Sequence, residues 1–480
     1  MRIVTLLKTI VASCLLALTL FTASTSAKQP PNILFIYLDD FGWKDAGYMG
    51  SDFYETPNID SLARGGMIFT DAYSCAANCA PARACLLSGQ YTPRHQIFNV
   101  GTKPRGKSKH RRLKHIPGTN TLRPEIITWA EVLQQVGYRT GMFGKWHLGT
   151  DPTTQGFDVA LEHNKLPGFD AHYGPRGEYL ADVLTDRAID FVKESEDQPW
   201  CVYLSHFAVH TPFQPKKELL PKYEAKKLGK LHDNVTMATM IQAVDDAVGR
   251  LIDALAETGA RDNTVVLFYS DNGGFGPATD MDPLWGYKGT YFEGGIRVPF
   301  FVNWPGVITP GTECGVPIIG VDLFPTICEI AGASLPKQIL DGRSLMPLWK
   351  GTENDLEKRP IFWHFPAYLE SYPVNSEQSD PLFRTRPVGA VRVGDYKLME
   401  FFEDGHISLF NLQKDNGERH NLAEELPEKR DELLQILKTW QHDVRAPIPS
   451  EPNPKFDPKA ERNALQKAAI YREKTLQKDL

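Results

Sequence analysis

Two apolar, strand-like segments far apart in this chain end in the same way. The first covers residues 32–38, the second covers residues 264–270, and further strand-like and helical patterns alternate between them. Such alternation is typical of an α/β sheet with parallel strands, whose carboxyl ends meet at one edge. Each segment runs directly into a polar pair at that edge, and the pairs are Asp39 with Asp40 and Asp271 with Asn272.

Further segments extend the same sheet. Apolar runs cover residues 139–143, 200–205 and 298–304. The clearest helix covers residues 234–258, where apolar residues recur at helical spacing and Gly259 follows as a C-terminal stop. Shorter helices are expected at residues 128–136 and 183–192. We predict an α/β fold with a large mixed, mostly parallel sheet sandwiched by helices.

The pattern changes near residue 361. Short strands separated by turns, followed by one helix, predict a smaller C-terminal antiparallel sheet that the helix covers. These elements are expected at residues 389–393, 396–401, 408–412 and 427–443. Beyond Arg445 the chain is polar and then charged, so a short helix, a surface arm and disorder all remain open. The predicted units are a catalytic domain at 28–360, a C-terminal subdomain at 361–445 and a tail at 446–480.

Charge and composition exclude several classes of protein. The 53 basic and 59 acidic residues give a net charge of −6, which disfavours a nucleic-acid partner but leaves room for a local basic patch. The charged and hydrophobic fractions, 23 % and 42 %, are those of an ordinary globular protein. They argue against a disordered chain, a coiled coil and a polytopic membrane protein.

The first 27 residues have the pattern of a secretory signal peptide. Arg2 and Lys8 precede an apolar run at residues 9–21, and small residues follow as a plausible cleavage site. A membrane anchor is the alternative, but the run is too short to span a bilayer comfortably, so no stable membrane insertion is expected. We predict an exported protein, either periplasmic or extracellular.

The two polar pairs predict a metal site. Three carboxylates and one amide oxygen would form an oxygen-rich cage that suits calcium or magnesium, with Asp39, Asp40, Asp271 and Asn272 as ligands. The alternative is that Asp and Asn are merely good turn residues at strand ends. Two pairs at the same position on two strands weaken that alternative.

A cysteine lies where a helix is expected to begin. Pro81 can start a helix because its missing N–H would be unpaired there anyway, and Gly89 suits the end of that helix. Cys79 would then lie at the helix N-terminus, where free N–H groups favour an anion. Arg83 follows about one turn later and can hydrogen-bond that anion.

The seven cysteines leave the pairing open. Cys14 lies inside the signal-like run, so six would remain after export and could form disulfides. Cys79 could be a disulfide partner or a metal thiolate, but it forms no Cys-x-x-Cys pair with Cys75 or Cys85, which disfavours zinc. A bridge between Cys75 and Cys85 is conceivable, and the sequence does not assign it.

The segment Cys79, Pro81 and Arg83 has a Cys-x-Pro-x-Arg pattern that resembles the type I sulfatases of the alkaline phosphatase-like superfamily. The resemblance covers about residues 31–445 and departs from the family pattern at Ala82, where serine is commonest, and at Ser88, where threonine is usual. The remaining motifs follow in family order at residues 144–149 (Gly-Lys-Trp-His-Leu-Gly), 210–212 (His-Thr-Pro), 270–273 (Ser-Asp-Asn-Gly), 286–290 (Gly-Tyr-Lys-Gly-Thr) and 293–299 (Glu-Gly-Gly-Ile-Arg-Val-Pro).

The resemblance implies a Ca²⁺-dependent sulfatase. In that family a formylglycine-generating maturation enzyme oxidises the cysteine, here Cys79, to Cα-formylglycine, whose hydrated aldehyde is the nucleophile. The implied Ca²⁺ ligands are Asp39, Asp40, Asp271, Asn272 and the modified Cys79. The implied sulfate-binding cations are Arg83, Lys145 and Lys288. His210 is implied as the general acid, with Lys288 nearby, and His147 as the base.

A carbohydrate sulfate ester, on a polysaccharide or oligosaccharide, is the expected substrate. Tentative substrate-binding residues are His172, Arg176, His364 and Arg384. The basic residues at 101–118 predict a positively charged surface that attracts a sulfated glycan, and a solvated surface loop is the alternative. The basic residues of this segment are Lys103, Arg105, Lys107, Lys109, Arg111, Arg112 and Lys114, accompanied by His110 and His115.

Two other functions remain open. One is a phosphonate monoester or phosphodiester hydrolase of the same superfamily, which parallel assays on a sulfate ester and a phosphodiester would distinguish. The other is a non-catalytic protein that binds sulfated glycans without conversion of Cys79 and releases no sulfate. The oligomeric state is not predicted.

Overall fold

The structure is a computed structural model that describes residues 29–195, 198–352, 355–372 and 380–476. The predicted signal peptide at residues 1–27 lies outside these ranges. No helix in the described ranges is both long and apolar enough to cross a bilayer.

The strands of the described residues are β1 (Asn32–Leu38), β2 (Met67–Phe69), β3 (Ala72–Tyr73), β4 (Arg139–Gly144), β5 (Val159–Glu162), β6 (Trp200–Ser205), β7 (Thr264–Ser270), β8 (Phe300–Asn303), β9 (Thr312–Cys314), β10 (Ile318–Ile319), β11 (Ile361–Phe365), β12 (Leu369–Glu370), β13 (Phe383–Thr385), β14 (Val388–Val393), β15 (Tyr396–Phe401) and β16 (Ile407–Asn411).

The α-helices of the same residues are α1 (Pro57–Arg64), α2 (Cys79–Ser88), α3 (Thr92–His95), α4 (Trp129–Gln135), α5 (Leu180–Lys193), α6 (Leu220–Glu224), α7 (Val235–Glu257), α8 (Glu293–Ile296), α9 (Leu323–Ile330), α10 (Met346–Trp349), α11 (Pro427–Asp443) and α12 (Pro458–Leu476). Short 3-10 helices cover Gly47–Met49, Ser108–His110, Pro152–Gln155, His163–Lys165, Lys217–Leu219, Arg261–Asn263, Gly320–Asp322 and Leu356–Lys358.

The central sheet has eight strands in the order β5-β4-β6-β1-β7-β8-β2-β9. Strand β1 pairs in parallel with both β6 and β7, while β8 runs antiparallel to β7 and to β2. The predicted mixed, mostly parallel sheet is therefore confirmed. A second sheet, in the order β11-β14-β15-β16, is antiparallel throughout, as predicted for the C-terminal part of the chain.

Strand β1 is buried on both faces, which explains its unbroken apolar sequence. Phe35 belongs to the apolar cluster on one face, together with Trp129 of α4. Its neighbour Ile36 belongs to the cluster on the other face, with side chains from α5 and α7. Burial of each such side chain contributes about 1.5–3 kcal/mol, so helices on both faces fix the position of this strand.

Side-chain caps define where two predicted helices begin. The Asn234 side chain accepts a hydrogen bond from the Met237 N–H at the start of α7. Thr128 and Glu131 form a reciprocal capping box at the start of α4. The predicted helices at 234–258 and 128–136 are confirmed with both ends shifted by one residue, whereas the helix predicted from 183 begins earlier, at Leu180.

Helix α11 packs on the second sheet. Leu433 and Leu437 are buried in a cluster with Val388 and Leu398 of that sheet. Of the three possibilities for the chain beyond Arg445, the structure shows a helix, α12. The domain boundary at residues 360 and 361 stays a prediction.

Candidate active site

The two polar pairs meet at the carboxyl end of the central sheet. Because β1 and β7 are neighbours in register, their polar pairs come side by side. The backbone N–H of Asp40 donates to Asp271 Oδ1 at 3.1 Å, and Asn272 Nδ2 donates to Asp40 Oδ1 at 2.8 Å. All four side chains, including Asp39, are buried.

Two buried oxygens of this cluster point to a cation. Asp39 Oδ1 and Asn272 Oδ1 accept no hydrogen bond from the described residues. A buried acceptor without a donor is costly, by about 1–3 kcal/mol. Ligand atoms of Asp39, Cys79 and Asp271 lie within 4.8 Å of one another. Oxygen donors at this density fit a hard divalent cation.

Cys79 is the first residue of α2, as predicted. Its predecessor Asn78 is in extended conformation and provides no side-chain cap, so the first N–H groups of the helix are left available. Gly89 ends the helix with φ of 66°, in the left-handed region that glycine tolerates. Cys79 is a free thiol, as are the other cysteines of the described residues, including Cys75 and Cys85.

Arg83 joins α2 to the acidic cluster. Its Nε and Nη2 atoms donate to Asp271 Oδ2 at 3.1 and 2.8 Å, and Nη1 donates to the Lys145 carbonyl at 3.0 Å. The guanidinium also lies over the Tyr37 ring at 4.9 Å from its centroid. This side chain is fully buried, so its contacts with Asp271 fix the orientation of the helix that begins at Cys79.

Two lysines reach the same cluster from separate loops. Lys145 follows β4, and its ammonium is ion-paired with Asp39. Lys288 Nζ lies 2.6 and 2.7 Å from the two carboxylate oxygens of Asp40. His210 completes the arrangement, with Nε2 at 3.8 Å from Asp40 Oδ2. Cationic and acidic groups therefore alternate around Cys79.

The site charges shift the carboxyl groups in opposite directions. Burial would raise the pKa of Asp39, but Lys145, His210 and other cations hold it well below its ordinary value. Burial and the Asp39 charge raise the pKa of Asp271 well above its ordinary value. A bound divalent cation would favour the charged form of both groups, which is a further reason that this donor set fits one.

His147 has a strained backbone conformation, and the pKa of its imidazole is lowered. Its φ of 67° lies in the left-handed region, which is uncommon for a residue other than glycine. Burial, followed by the Lys145 charge, lowers the pKa of His147 to about 3. Its Nδ1 is buried and makes no hydrogen bond with the described residues. At neutral pH the ring is uncharged and can accept a proton.

A cavity of about 430 Å³ opens over these groups. This volume lies in the range of small-molecule sites and exceeds what one tetrahedral anion would fill. The predicted site residues that line it are Cys79, Lys145, His147, His210, Lys288 and Arg384. The structure thus brings the predicted nucleophile, cations and histidines to one cavity, while their catalytic roles stay predictions.

Comparison with known proteins identifies the family. The Sulfatase family model matches residues 31–333, and the model for the N-sulphoglucosamine sulphohydrolase C-terminal region matches residues 284–445. This chain belongs to the sulfatase family. It is accordingly a sulfuric ester hydrolase, and its fold is the one that the sequence resemblance implied.

Two relatives and one solved structure illustrate the similarity. A Sulfatase of Formosa agariphila is 33 % identical, over 88 % of this chain and 89 % of that protein. Human Arylsulfatase A is 30 % identical, over 89 % of this chain and 90 % of that protein. The structure of Ps i-CgsB in complex with k-i-k-neocarrahexaose is 28 % identical, with a TM-score of 0.73, and covers 92 % of this chain and 98 % of that one.

Of the four residues predicted to bind the substrate of this sulfatase, one lines the cavity and three do not. Arg384 lines the cavity. His172 is buried, and its Nε2 donates to the His210 carbonyl at 2.9 Å, so it supports the segment that carries His210. Arg176 and His364 do not reach the cavity. Arg176 is exposed and paired with Glu178, and His364 lies in β11.

His364 lies away from the cavity, in a strand whose residues are all buried, and its role in substrate binding stays a prediction. Its Nε2 donates to the Pro447 carbonyl at 3.0 Å, and its side chain is buried under the C-terminal chain. Arg176 lies at the surface, where it is paired with Glu178 two residues away, and its role in substrate binding also stays a prediction. In the sequence, Arg176 belongs to a long connection rich in Gly and Pro, whereas His364 lies at the start of the smaller C-terminal unit.

Several cavity residues of the sulfatase were not predicted as site residues. Asn78 and Asn99 line the cavity, and Asn78 Nδ2 donates to Asn99 Oδ1 at 2.7 Å. The position of Asn78 directly before Cys79 could have indicated it. Phe207 and Tyr372 also line the cavity, but no sequence pattern sets them apart from core aromatic residues.

The basic segment at residues 101–118 is partly neutralised by acidic side chains. Arg105 pairs with Glu370, and Lys114 pairs with Glu451 of the C-terminal chain. Asn453 also holds the segment, since its Nδ2 donates to the carbonyls of Ser108 and Arg111 at 2.9 and 2.8 Å. The C-terminal chain thus fastens this segment, and Lys103, Lys107 and Lys109 remain exposed.

Proposed function

We propose that this sulfatase hydrolyses sulfate esters of a glycan outside the cytoplasm, with formylglycine derived from Cys79 as the nucleophile and Ca²⁺ as the metal. One observation carries the proposal. The ligand atoms of Cys79, Asp39 and Asp271 lie within 4.8 Å of one another at a helix N-terminus. A reactive group at position 79 would therefore be adjacent to both the cation and the anion that binds there.

The donor set of the cluster suits calcium. Asp39, Asp40, Asp271 and Asn272 would hold Ca²⁺, which when bound supplies Lewis-acid stabilisation of the sulfate charge. Conversion of Cys79 to formylglycine supplies a hydroxyl nucleophile through the hydrated aldehyde. Both groups belong to the family chemistry, and the residues of this chain that surround them provide the remaining functions.

The cations of the site bind and orient the sulfate group. A sulfate ester carries a full negative charge that repels an attacking oxygen, so fixed positive charges at that position lower the barrier. Lys145 and Lys288 line the cavity beside Cys79. Arg83 is fully buried and paired with Asp271, and its guanidinium adds a permanent positive charge to the site.

His210 is positioned to protonate the leaving alcohol. Its Nδ1 donates to the Thr211 carbonyl at 2.7 Å, which leaves Nε2 to exchange a proton with the oxygen of the departing sugar. The His172 contact with the His210 carbonyl fixes the backbone of this segment. His147, which the sequence resemblance implies as the base, lines the same cavity and is uncharged at neutral pH.

A glycan is the proposed substrate class. The cavity exceeds the needs of a sulfate group, and the aromatic rings of Phe207 and Tyr372 on its wall are suited to stacking on sugar faces. The solved relative that binds k-i-k-neocarrahexaose supports the same class. The signal-like pattern at residues 1–27 supports export, since such polymers are extracellular.

Parallel release assays test the proposal. The protein is produced with a formylglycine-generating enzyme and offered sulfated oligosaccharides, 4-nitrophenyl sulfate and bis(4-nitrophenyl) phosphate. We expect sulfate release from the sulfated substrates, faster than phosphodiester cleavage, and loss of both in Cys79→Ala. Cleavage of the phosphodiester alone would favour a phosphodiester hydrolase. Glycan binding without any release would favour the binding protein.

A further inference from the structure

We infer that the cavity contains a second anion subsite, formed by Arg384 with Arg105, that binds a further sulfate or carboxylate group of the same glycan. The inference rests on the proposed function and narrows its substrate class. The substrate would be a glycan that carries at least two anionic groups on one sugar or on adjacent sugars.

Arg384 is a buried cation that has no anionic partner among the residues that the structure describes. It belongs to β13, is 5 % exposed and lines the cavity. Its Nε donates to the Glu370 carbonyl at 2.9 Å, and its guanidinium lies 3.7 Å from the centroid of the Tyr372 ring. Among the described residues, no ion pair engages it. A buried guanidinium is costly unless an anion pairs with it, which indicates that the partner is a ligand.

The carboxylate of Glu370, whose backbone carbonyl contacts Arg384, is already paired with Arg105. Arg105 Nε donates to both carboxylate oxygens of Glu370, at 2.9 and 2.8 Å, and its Nη2 is paired with the same group. Arg105 also lines the cavity. The Glu370 carboxylate is therefore paired with Arg105, whereas Arg384 contacts only the backbone carbonyl of Glu370, so the charge of Arg384 is not balanced by an ion pair among the described residues. A planar guanidinium is the preferred partner of sulfate and carboxylate groups.

This surplus charge is separate from the cations that surround Cys79. Arg83, Lys145 and Lys288 are each paired with an aspartate of the metal cluster. Arg384 instead approaches the backbone beside Lys288. Gly289 has φ of 92°, and a Cβ placed there would lie 3.0 Å from Arg384 Nη1. The two anion sites thus lie close enough for one sugar, or two linked sugars, to occupy both.

Matched disaccharides test the inference. The probes are a monosulfated disaccharide, its disulfated form and a monosulfated form in which the second sugar is a uronate. For wild-type protein we expect kcat/KM to be about tenfold higher on a doubly anionic form than on the singly anionic one, the worth of one charge-assisted contact. A preference for the disulfated form would identify the second anion as sulfate, and a preference for the uronate form would identify it as carboxylate.

Variants assign the preference to Arg384. In Arg384→Gln the preference should fall to about twofold or less, mainly through KM, and Arg384→Lys should retain part of it. Lys193→Gln, at an exposed lysine in the last turn of α5 and outside the cavity, should retain all of it. Thermal unfolding of each variant shows whether it is folded. Equal rates on all three sugars in wild type, or an equal loss on all three in Arg384→Gln, would overturn the inference.

A binding measurement separates this inference from the proposed function. Isothermal titration of Cys79→Ala with the same three sugars should show a similar tenfold preference in Kd, which Arg384→Gln should remove. If wild type with converted Cys79 releases no sulfate while this preference persists, the proposed function fails and the subsite remains. If sulfate is released without any preference, the subsite fails and the proposed function remains.

Discussion

Arg83 and Asp271 form a fully buried ion pair in which Nε and Nη2 of the guanidinium both donate to one carboxylate oxygen. The pair connects α2, which begins at Cys79, to the carboxyl end of β7. This contact therefore fixes the position of the helix that carries Cys79 relative to the acidic cluster. A point charge on a flexible stem could not reproduce this two-point geometry.

The first prediction concerns this pair. We expect Arg83→Lys to lower the free energy of unfolding by about 3–5 kcal/mol, because an imperfectly paired charge would remain buried. Sulfate ester hydrolysis should fall by roughly a hundredfold or more. Urea unfolding and kcat/KM measure the two effects. Arg176→Lys, in an exposed pair with Glu178, is the control and should change stability little. A loss below about 1 kcal/mol in Arg83→Lys would contradict the account.

The second prediction concerns the acidic cluster. Ca²⁺ at a hundredfold excess over its Kd stabilises a protein by about 2.7 kcal/mol through mass action. The entropy of unfolding of a chain of this length is about 1 kcal/mol/K, so removal of metal by EDTA should lower Tm by about 3 °C, and added Ca²⁺ should restore it. The variant Asp271→Asn should lose most of this response. An unchanged Tm after exhaustive chelation would show that the cluster holds no structural cation.

The third prediction concerns a buried lysine between the two sheets. Lys397 Nζ lies 3.0 Å from Glu293 Oε1 and 2.9 Å from Glu418 Oε1, and all three side chains are fully buried. We expect Lys397→Met to reduce the free energy of unfolding by about 3–5 kcal/mol, because two buried carboxylates lose their cation. Adding Glu418→Gln should recover part of that loss. No recovery in the double variant would mean that packing, rather than charge, explains the effect.

The fourth prediction concerns acid sensitivity. Burial lowers the pKa of His95 and of His206 to about 3, and that of His364 to about 4, so these rings stay neutral in the folded chain where unfolded histidine is charged. The unfolded chain then binds more protons, and stability falls as pH decreases from about 6.5. Each ring contributes a slope of about 1.4 kcal/mol per pH unit.

Urea unfolding between pH 7 and pH 5 measures that slope. His206 is a suitable test, because both of its ring nitrogens are buried without hydrogen-bond partners among the described residues. His206→Leu should reduce the slope by about the share of one ring. A slope identical to that of wild type would mean that His206 is not neutral in the folded protein.

Much of the fold could be predicted because local signals agree with the tertiary arrangement. The caps at Asn234 and Thr128 and the apolar run of β1 each define an element without reference to distant residues. The polar pairs after β1 and β7 could be predicted to meet because parallel neighbours end at one edge. The antiparallel strand β8 was recognised as a strand, but its direction depends on a connection that periodicity does not reveal.

The wall of the cavity could not be predicted in the same way. Arg105 and Arg384 are 279 residues apart in the sequence, and in the structure both line the cavity and both contact Glu370. The basic segment around Arg105 indicated an open charged surface, whereas acidic side chains such as Glu451 neutralise part of it. Such pairing depends on the docking of the C-terminal chain, and no local pattern encodes it.

The state of the Cys79 side chain tests the central claim most directly. Tryptic cleavage gives a peptide covering residues 65–83, which also contains Cys75, so fragment ions must assign the modified position. For protein produced with a formylglycine-generating enzyme, tandem mass spectrometry should show a loss of about 18 Da at Cys79, together with the hydrated aldehyde. An intact thiol or a disulfide at Cys79, while the same enzyme converts a control sulfatase, would contradict the account.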